Sequence, residues 1–211
     1  LTTVFALAVA TFAGYALARF RFPGAELFGG SVLVTQVIPG ILFLIPIYIM
    51  YIYVQNWVRS ALGLEVRLVG SYGGLVFTYT AFFVPLSIWI LRGFFASIPK
   101  ELEEAAMVDG ATRWQVFTKI LLPLSAPMFV FIFLLQFVGT YSEFVLANLV
   151  LTGVESWNVG VGLRSFTTGQ FQTKWGVFAA ASVLGSLPIL FLFYGFQQYF
   201  VSGYTAGAVK E

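Results

Sequence analysis

The chain contains no cysteine and no histidine, and only 9% of its 211 residues are charged. Each shortage closes a class of chemistry. Without cysteine there is no disulfide, no thiolate metal site and no thiol nucleophile. Without histidine there is no imidazole-dependent triad, zinc centre or imidazole proton relay. A soluble domain carries about 25% charged residues. This chain is 59% hydrophobic with a mean hydropathy of +0.91, so the bilayer is its natural solvent. Lys100, Lys119, Lys174 and Lys210 never follow glycine, so no G-K-[ST] phosphate loop is present. Any ATP that drives the protein must be bound by another chain. The net charge of +2 comes from dispersed basic residues, which form no patch for nucleic acid.

What the chain has is long apolar runs. A spanning helix needs about 20 mostly apolar residues, and five segments qualify: 1–18, 27–53, 71–91, 125–150 and 176–200. Backbone polar groups must be satisfied within lipid, and the strand alternation of a barrel is missing. The sequence therefore predicts an all-α membrane protein with five spans and no room for a second domain. Seven of the eleven Lys and Arg residues fall in 19–26, 92–124 and 201–211, against four in the other loops. Basic residues accumulate on the cytoplasmic side, which places those three segments inside and the C-terminus in the cytoplasm. Leu1 already lies in an apolar run without the flanks of a signal peptide. The expectation is a chain that starts partway through a longer membrane protein, with at least one earlier helix.

Two spans are more than lipid anchors. The second holds Gln36, Pro39, Gly40 and Pro46, which reads either as a packing kink or as a flexible wall of a cavity. The last has Ala179, Ala180, Ala181, Ser182, Gly185 and Ser186, small residues that let another helix approach. Glu143 is the one acidic residue inside an expected span, and intramembrane ionisable groups are costly and by default functional. With Gln136, Thr140, Tyr141, Ser142 and Asn148 it forms the best polar cluster for a substrate path. Those residues spread over more than one helical face, and a packing role for Glu143 stays open. The outer loop 152–174 reads either as a tether or as a contact for an external partner.

The most informative segment is 97–123, a charged stretch between apolar runs. Pro99 suits the first position of a helix, and Glu101, Glu103 and Glu104 follow where negative charge complements the helix dipole. Leu102, Ala105 and Ala106 share a face, and Gly110 suits a left-handed helix end. Thr112 with Gln115 spells a capping box for a second helix. Trp114, Phe117, Ile120 and Leu121 form its apolar stripe, and Pro123 stops or kinks it. Such a pair either lies on lipid headgroups or docks on a protein. Anionic lipid would repel the acidic first helix, which favours a protein partner.

The string Glu104-Ala105-Ala106-x3-Gly110-x9-Ile120-x-Leu122-Pro123 resembles the EAA loop of the integral-membrane subunits of binding-protein-dependent ABC importers. Ile90-Leu91-Arg92-Gly93-Phe94-Phe95, Ser97-Ile98-Pro99, Ala16-Leu17-Ala18-Arg19-Phe20 and Ile45-Pro46-Ile47-Tyr48 look like the carbohydrate branch. The ending Gly203-Tyr204-Thr205-Ala206-Gly207-Ala208-Val209-Lys210 is similar to that of the maltose/trehalose-type second permease subunit. The resemblance implies a type I ABC importer transmembrane domain in a bacterial or archaeal cytoplasmic membrane, importing a disaccharide or malto-oligosaccharide. It implies a second permease, an ATPase dimer that holds the ATP and Mg, and an extracytoplasmic sugar-binding protein, with no cofactor on this chain. Glu104, Ala105, Ala106, Gly110, Ile120 and Pro123 would then meet the ATPase. The 203–211 tail, with Ala206, Gly207, Val209 and Lys210, is either a frayed terminus or a second ATPase contact. One departure stands out: many members carry Trp-Asn-Glu-Phe where this chain has Tyr141-Ser142-Glu143-Phe144. An ion-gradient-driven transporter, the alternative, would show paired mid-membrane charges or inverted repeats, and neither is visible.

Overall fold

The computed structural model describes residues 1–167 and 174–207, the last eight as backbone only. No strand occurs among the described residues. Among the described residues, four helices are long and apolar enough to cross a membrane: Thr2–Arg19, Gly40–Leu62, Tyr72–Ser97 and Trp175–Tyr199. Arg113–Leu124 with Ala126–Ser142 makes a fifth if that bent pair is taken as one span. The chain is a multi-pass membrane protein.

Helix α1 (Thr2–Arg19) and helix α4 (Tyr72–Ser97) form the central pair, with the most extensive contact between any two elements. Their approach depends on small residues. A Cβ at Gly14 would lie 3.0 Å from Leu91 Cβ and 3.2 Å from the Arg92 amide nitrogen, so only glycine lets the two backbones close. Ala6, Ala10 and Leu17 continue that buried face of α1. Between them in chain order come α2 (Ala25–Val34) and α3 (Leu44–Leu62), the latter entered through a 3₁₀ turn at Gly40–Phe43.

The expected span 27–53 is thus two helices. The α2 ladder ends at Val34, the Gln36 and Val37 amides turn to the carbonyls of Leu33 and Val34, and Pro39, extended at ψ 124° before the 3₁₀ turn, has no N–H with which a helix could resume. Pro46, expected as a second interruption, sits in the first turn of α3, where no intrahelical N–H is needed. Pro85 lies inside α4, and Pro188 inside the last helix, Trp175–Gly207, without ending either.

After α4 come α5 (Lys100–Val108), α6 (Arg113–Val116), a π turn (Phe117–Leu121) and α7 (Leu122–Leu124). Pro99 is the N-cap of α5, one position earlier than expected. The chain then bends by 66° into α8 (Ala126–Ser142). That helix stops eight residues before the expected end at 150, because Glu143 turns extended at ψ 128° and a short α9 (Val145–Val150) follows. The loop expected outside contains a 3₁₀ turn at Val154–Ser156 and α10 (Val159–Ser165), capped by the Asn158 side chain. Finally α11 (Trp175–Gly207) packs against α8 and α10. Its backbone is helical through Ala206 and Gly207, where a tail from 203 was expected. Val209 and Lys210 lie outside the described residues.

Candidate functional site

The segment 97–123 folds into a two-helix knuckle whose turn is closed by main-chain geometry. Gly110 adopts φ 87°, the left-handed conformation that costs glycine least. The Ala111 amide donates to Ala106 O at 2.9 Å and the Gly110 amide to Met107 O at 3.1 Å, the paired bonds of a Schellman end. Two residues later the capping box forms. The Thr112 amide donates to Gln115 Oε1 at 2.8 Å, and the Gln115 amide to Thr112 Oγ1 at 3.3 Å.

One side of the knuckle is clamped to the bundle. Phe117 and Leu121 are buried in a cluster with Ala10, Leu17, Leu91 and Phe95. Tyr15 packs on Phe117 with ring centroids 4.6 Å apart and meets Phe95 edge-on at 5.8 Å. Trp114, although 63% exposed, stacks on Phe12 at 6.5 Å. Aromatic pairs of this kind add about 1 kcal/mol each beyond the area they bury. A charged anchor accompanies them: Arg19, at the end of α1, forms an ion pair with Glu103 of α5 and donates from Nη2 to Ile98 O at 2.9 Å.

The other side is presented. Leu102, Ala105 and Val108 are exposed, the last at 88%, and Glu101, Glu104 and Asp109 flank them. Ala106 is half-buried, so it leaves the presented face. Glu104 has no ion pair or hydrogen bond through its side chain among the described residues. Ile120 is half-buried and Pro123 exposed where the knuckle turns into α8. An apolar stripe with acidic margins, uncovered on a rigid base, is suited to a groove with an apolar floor and basic edges.

The expected substrate-path residues do not converge. Gln136 is buried and donates from Nε2 to Ser87 Oγ at 2.6 Å, joining α8 to α4. Thr140 turns its hydroxyl to Gln136 O, and Tyr141 stacks on Phe137 at 5.4 Å. Asn148 is exposed on α9. Glu143 stands between α8 and α9 rather than within a helix. Its Oε1 accepts from the Leu146 amide at 2.8 Å, and its Oε2 accepts from the Ala147 amide at 3.0 Å and from the Tyr79 hydroxyl. The carboxylate therefore satisfies the first amides of α9 and ties them to α4. The apolar run 125–150 reads as one helix through this point, which hides the cap. A cavity of about 300 Å³ beside it is walled by Tyr79, Phe82, Phe83 and Ile41.

Residues 7–205 match the family described as binding-protein-dependent transport system inner membrane component. The chain is 38% identical over 210 residues to the maltose/maltodextrin transport system permease protein MalG of Vibrio vulnificus (strain YJ016), covering 100% of this chain and 68% of that protein. To the MalG protein of Escherichia coli (strain K12) it is 37% identical over 206 residues, covering 97% of this chain and 66% of that one. Among solved structures, a bacterial ABC transporter involved in the import of the acidic polysaccharide alginate superposes with a TM-score of 0.68 at 23% identity, over 94% of this chain and 71% of that chain. The inward-facing MetNI methionine ABC transporter gives 0.63 at 18%, over 93% and 87%. At those identities the two structures speak for the fold, which is the ABC importer transmembrane fold. The sequence relatives, matched along the whole of this chain, speak for kinship: the chain belongs to the family of binding-protein-dependent transport system inner membrane components.

Proposed function

We propose that this chain is one of two permease subunits of an ATP-driven sugar importer, carrying a maltodextrin-class substrate across a bacterial cytoplasmic membrane. The MalG relatives support the substrate class, and their family supports delivery by an extracytoplasmic binding protein. ATP and Mg belong to a partner ATPase dimer, since the chain has no phosphate loop of its own. The ion-gradient alternative is disfavoured by the family and by Glu143, whose carboxylate is engaged by two amides and a phenol.

The observation that carries the reading is the two-sided knuckle. Its back is locked to α1 and α4 through Phe117, Leu121 and Arg19, while Leu102, Ala105, Val108 and Glu104 stand free. A motor subunit gripping the free side would move α1 and α4 with it, because the base is packed against both. The knuckle then faces the cytoplasm, as does the C-terminal end of α11. Tyr141 and Asn148, which keep exposed surface, are the candidates for the sugar path; Gln136 and Glu143 hold helices together beside it.

The test is reconstitution of the chain with its partner permease, ATPase pair and binding protein. Gly110→Asp puts a charged side chain on a left-handed turn that enters the partner groove. The variant is expected to lose the ATPase subunits on purification and to abolish ATP-dependent sugar uptake. Normal assembly and normal uptake would refute the docking role.

A further inference from the structure

We propose that Arg19 and Glu103 form a strut that fixes the angle of α5 against α1 and α4, so that motion of the knuckle reaches the spans. The proposal rests on the importer reading above and assigns two positioning residues to it. The link from α4 to α5 is only Ile98 and Pro99, a joint about which a nine-residue helix could swivel. One guanidinium spans that joint. It is carried by the last residue of α1, donates to the Ile98 carbonyl at the end of α4, and pairs with a carboxylate in the opening turns of α5. Both side chains are withdrawn from solvent, at 6% and 12% exposure.

Helix polarity reinforces this arrangement. The cation sits at the negative ends of α1 and α4, and the carboxylate near the positive end of α5. Stability alone would not require such a pair, because apolar side chains of similar volume often replace a buried ion pair at no cost. What the pair adds is direction: a planar donor holding two acceptors on two elements at once. The neighbouring Glu104 shows the contrast. One residue along a helix is a turn of about 100°, enough to aim Glu103 at the bundle and Glu104 away from it.

Two measurements test the strut. In the reconstituted complex, the double variant Arg19→Met/Glu103→Leu removes both charges without stranding either. It is expected to keep the ATPase subunits and their hydrolysis while sugar moved per ATP falls at least tenfold. Arg19→Lys, which keeps the charge but cannot hold both acceptors in one plane, should fall about threefold. Unchanged sugar per ATP, or loss of the ATPase subunits, overturns the proposal. Absence of ATP-dependent uptake in the unmodified complex would count against the importer reading instead.

The second measurement does not depend on transport. The chain has no cysteine, so spin labels at Val4→Cys on α1 and Glu101→Cys on α5 report one distance in the full chain. The double variant should at least double the width of that distance distribution, and an unchanged width overturns the strut.

Discussion

The two ends of the bundle use polar groups for different purposes. At the knuckle end, ion pairs join one element to another: Arg19 to Glu103, with a further bond to the Ile98 carbonyl, and, at the neighbouring corner, Arg92 to Glu26 at 2.7 Å. At the opposite end the side chains bind the backbone. Gln55 Oε1 accepts from the amides of Leu68 and Val69 at 2.5 and 2.6 Å, Glu143 accepts from those of Leu146 and Ala147, and Asn158 Nδ2 donates to Glu143 O at 2.6 Å. There the Tyr51 hydroxyl, buried, bonds to Gly74 O at 2.7 Å and to Thr78 Oγ1. The difference follows from what each end must satisfy. Broken helices and loops at the second end leave amides without partners, and such groups are costly where water is scarce. The knuckle end closes its turn with its own backbone and with the neutral side chains of Thr112 and Gln115, so its ionisable side chains are left over for anchoring and display.

Glu143→Ala should have the largest effect on that contrast. It strips the acceptor from two amides and a buried phenol, each unsatisfied donor costing about 1–3 kcal/mol. The thermal midpoint in detergent should drop by the equivalent of about 3 kcal/mol, while the ATPase subunits still bind. If binding is lost together with stability, the ends are not independent. Gln55→Ala should come next, at about 2 kcal/mol for two released amides. Its signature is local: faster amide hydrogen exchange at Leu68 and Val69, with no change at Leu102 to Val108.

Smaller effects sharpen the other side. Gly110→Ala meets no atom within 4 Å of the new Cβ, so its cost is conformational alone, about 1 kcal/mol. It should weaken ATPase binding several-fold by titration, much less than Gly110→Asp. Equal losses in the two would show that turn geometry, not fit in the groove, sets docking. Thr112→Ala removes the exposed half of the capping box for about 1 kcal/mol. Amide exchange should quicken at Gln115 and nowhere at the opposite end.

Much of the knuckle was legible in the sequence because its signals are local. A glycine at a left-handed end and a Thr-x-x-Gln cap each depend on residues within one turn, and both formed where the spacing put them. The long apolar runs were legible for the same reason. The breaks inside them were not. A run of hydrophobic residues looks alike whether or not the ladder continues, so α8 was extended through Glu143 and α2 joined to α3. Helical periodicity also could not rank Glu103 against Glu104, since both suit an early turn.

Composition and short-range pattern therefore determined the solvent, the class of fold and the position of the knuckle, because each depends on residues adjacent in the chain. Tertiary structure alone decided which carboxylate anchors and which is displayed. It also decided that Glu143 caps a helix, and that Gln136 bonds to Ser87 across 49 positions of sequence. Those outcomes depend on which helices pack side by side, and hydrophobic burial, having no direction, leaves that choice to the fit of side chains across the interface.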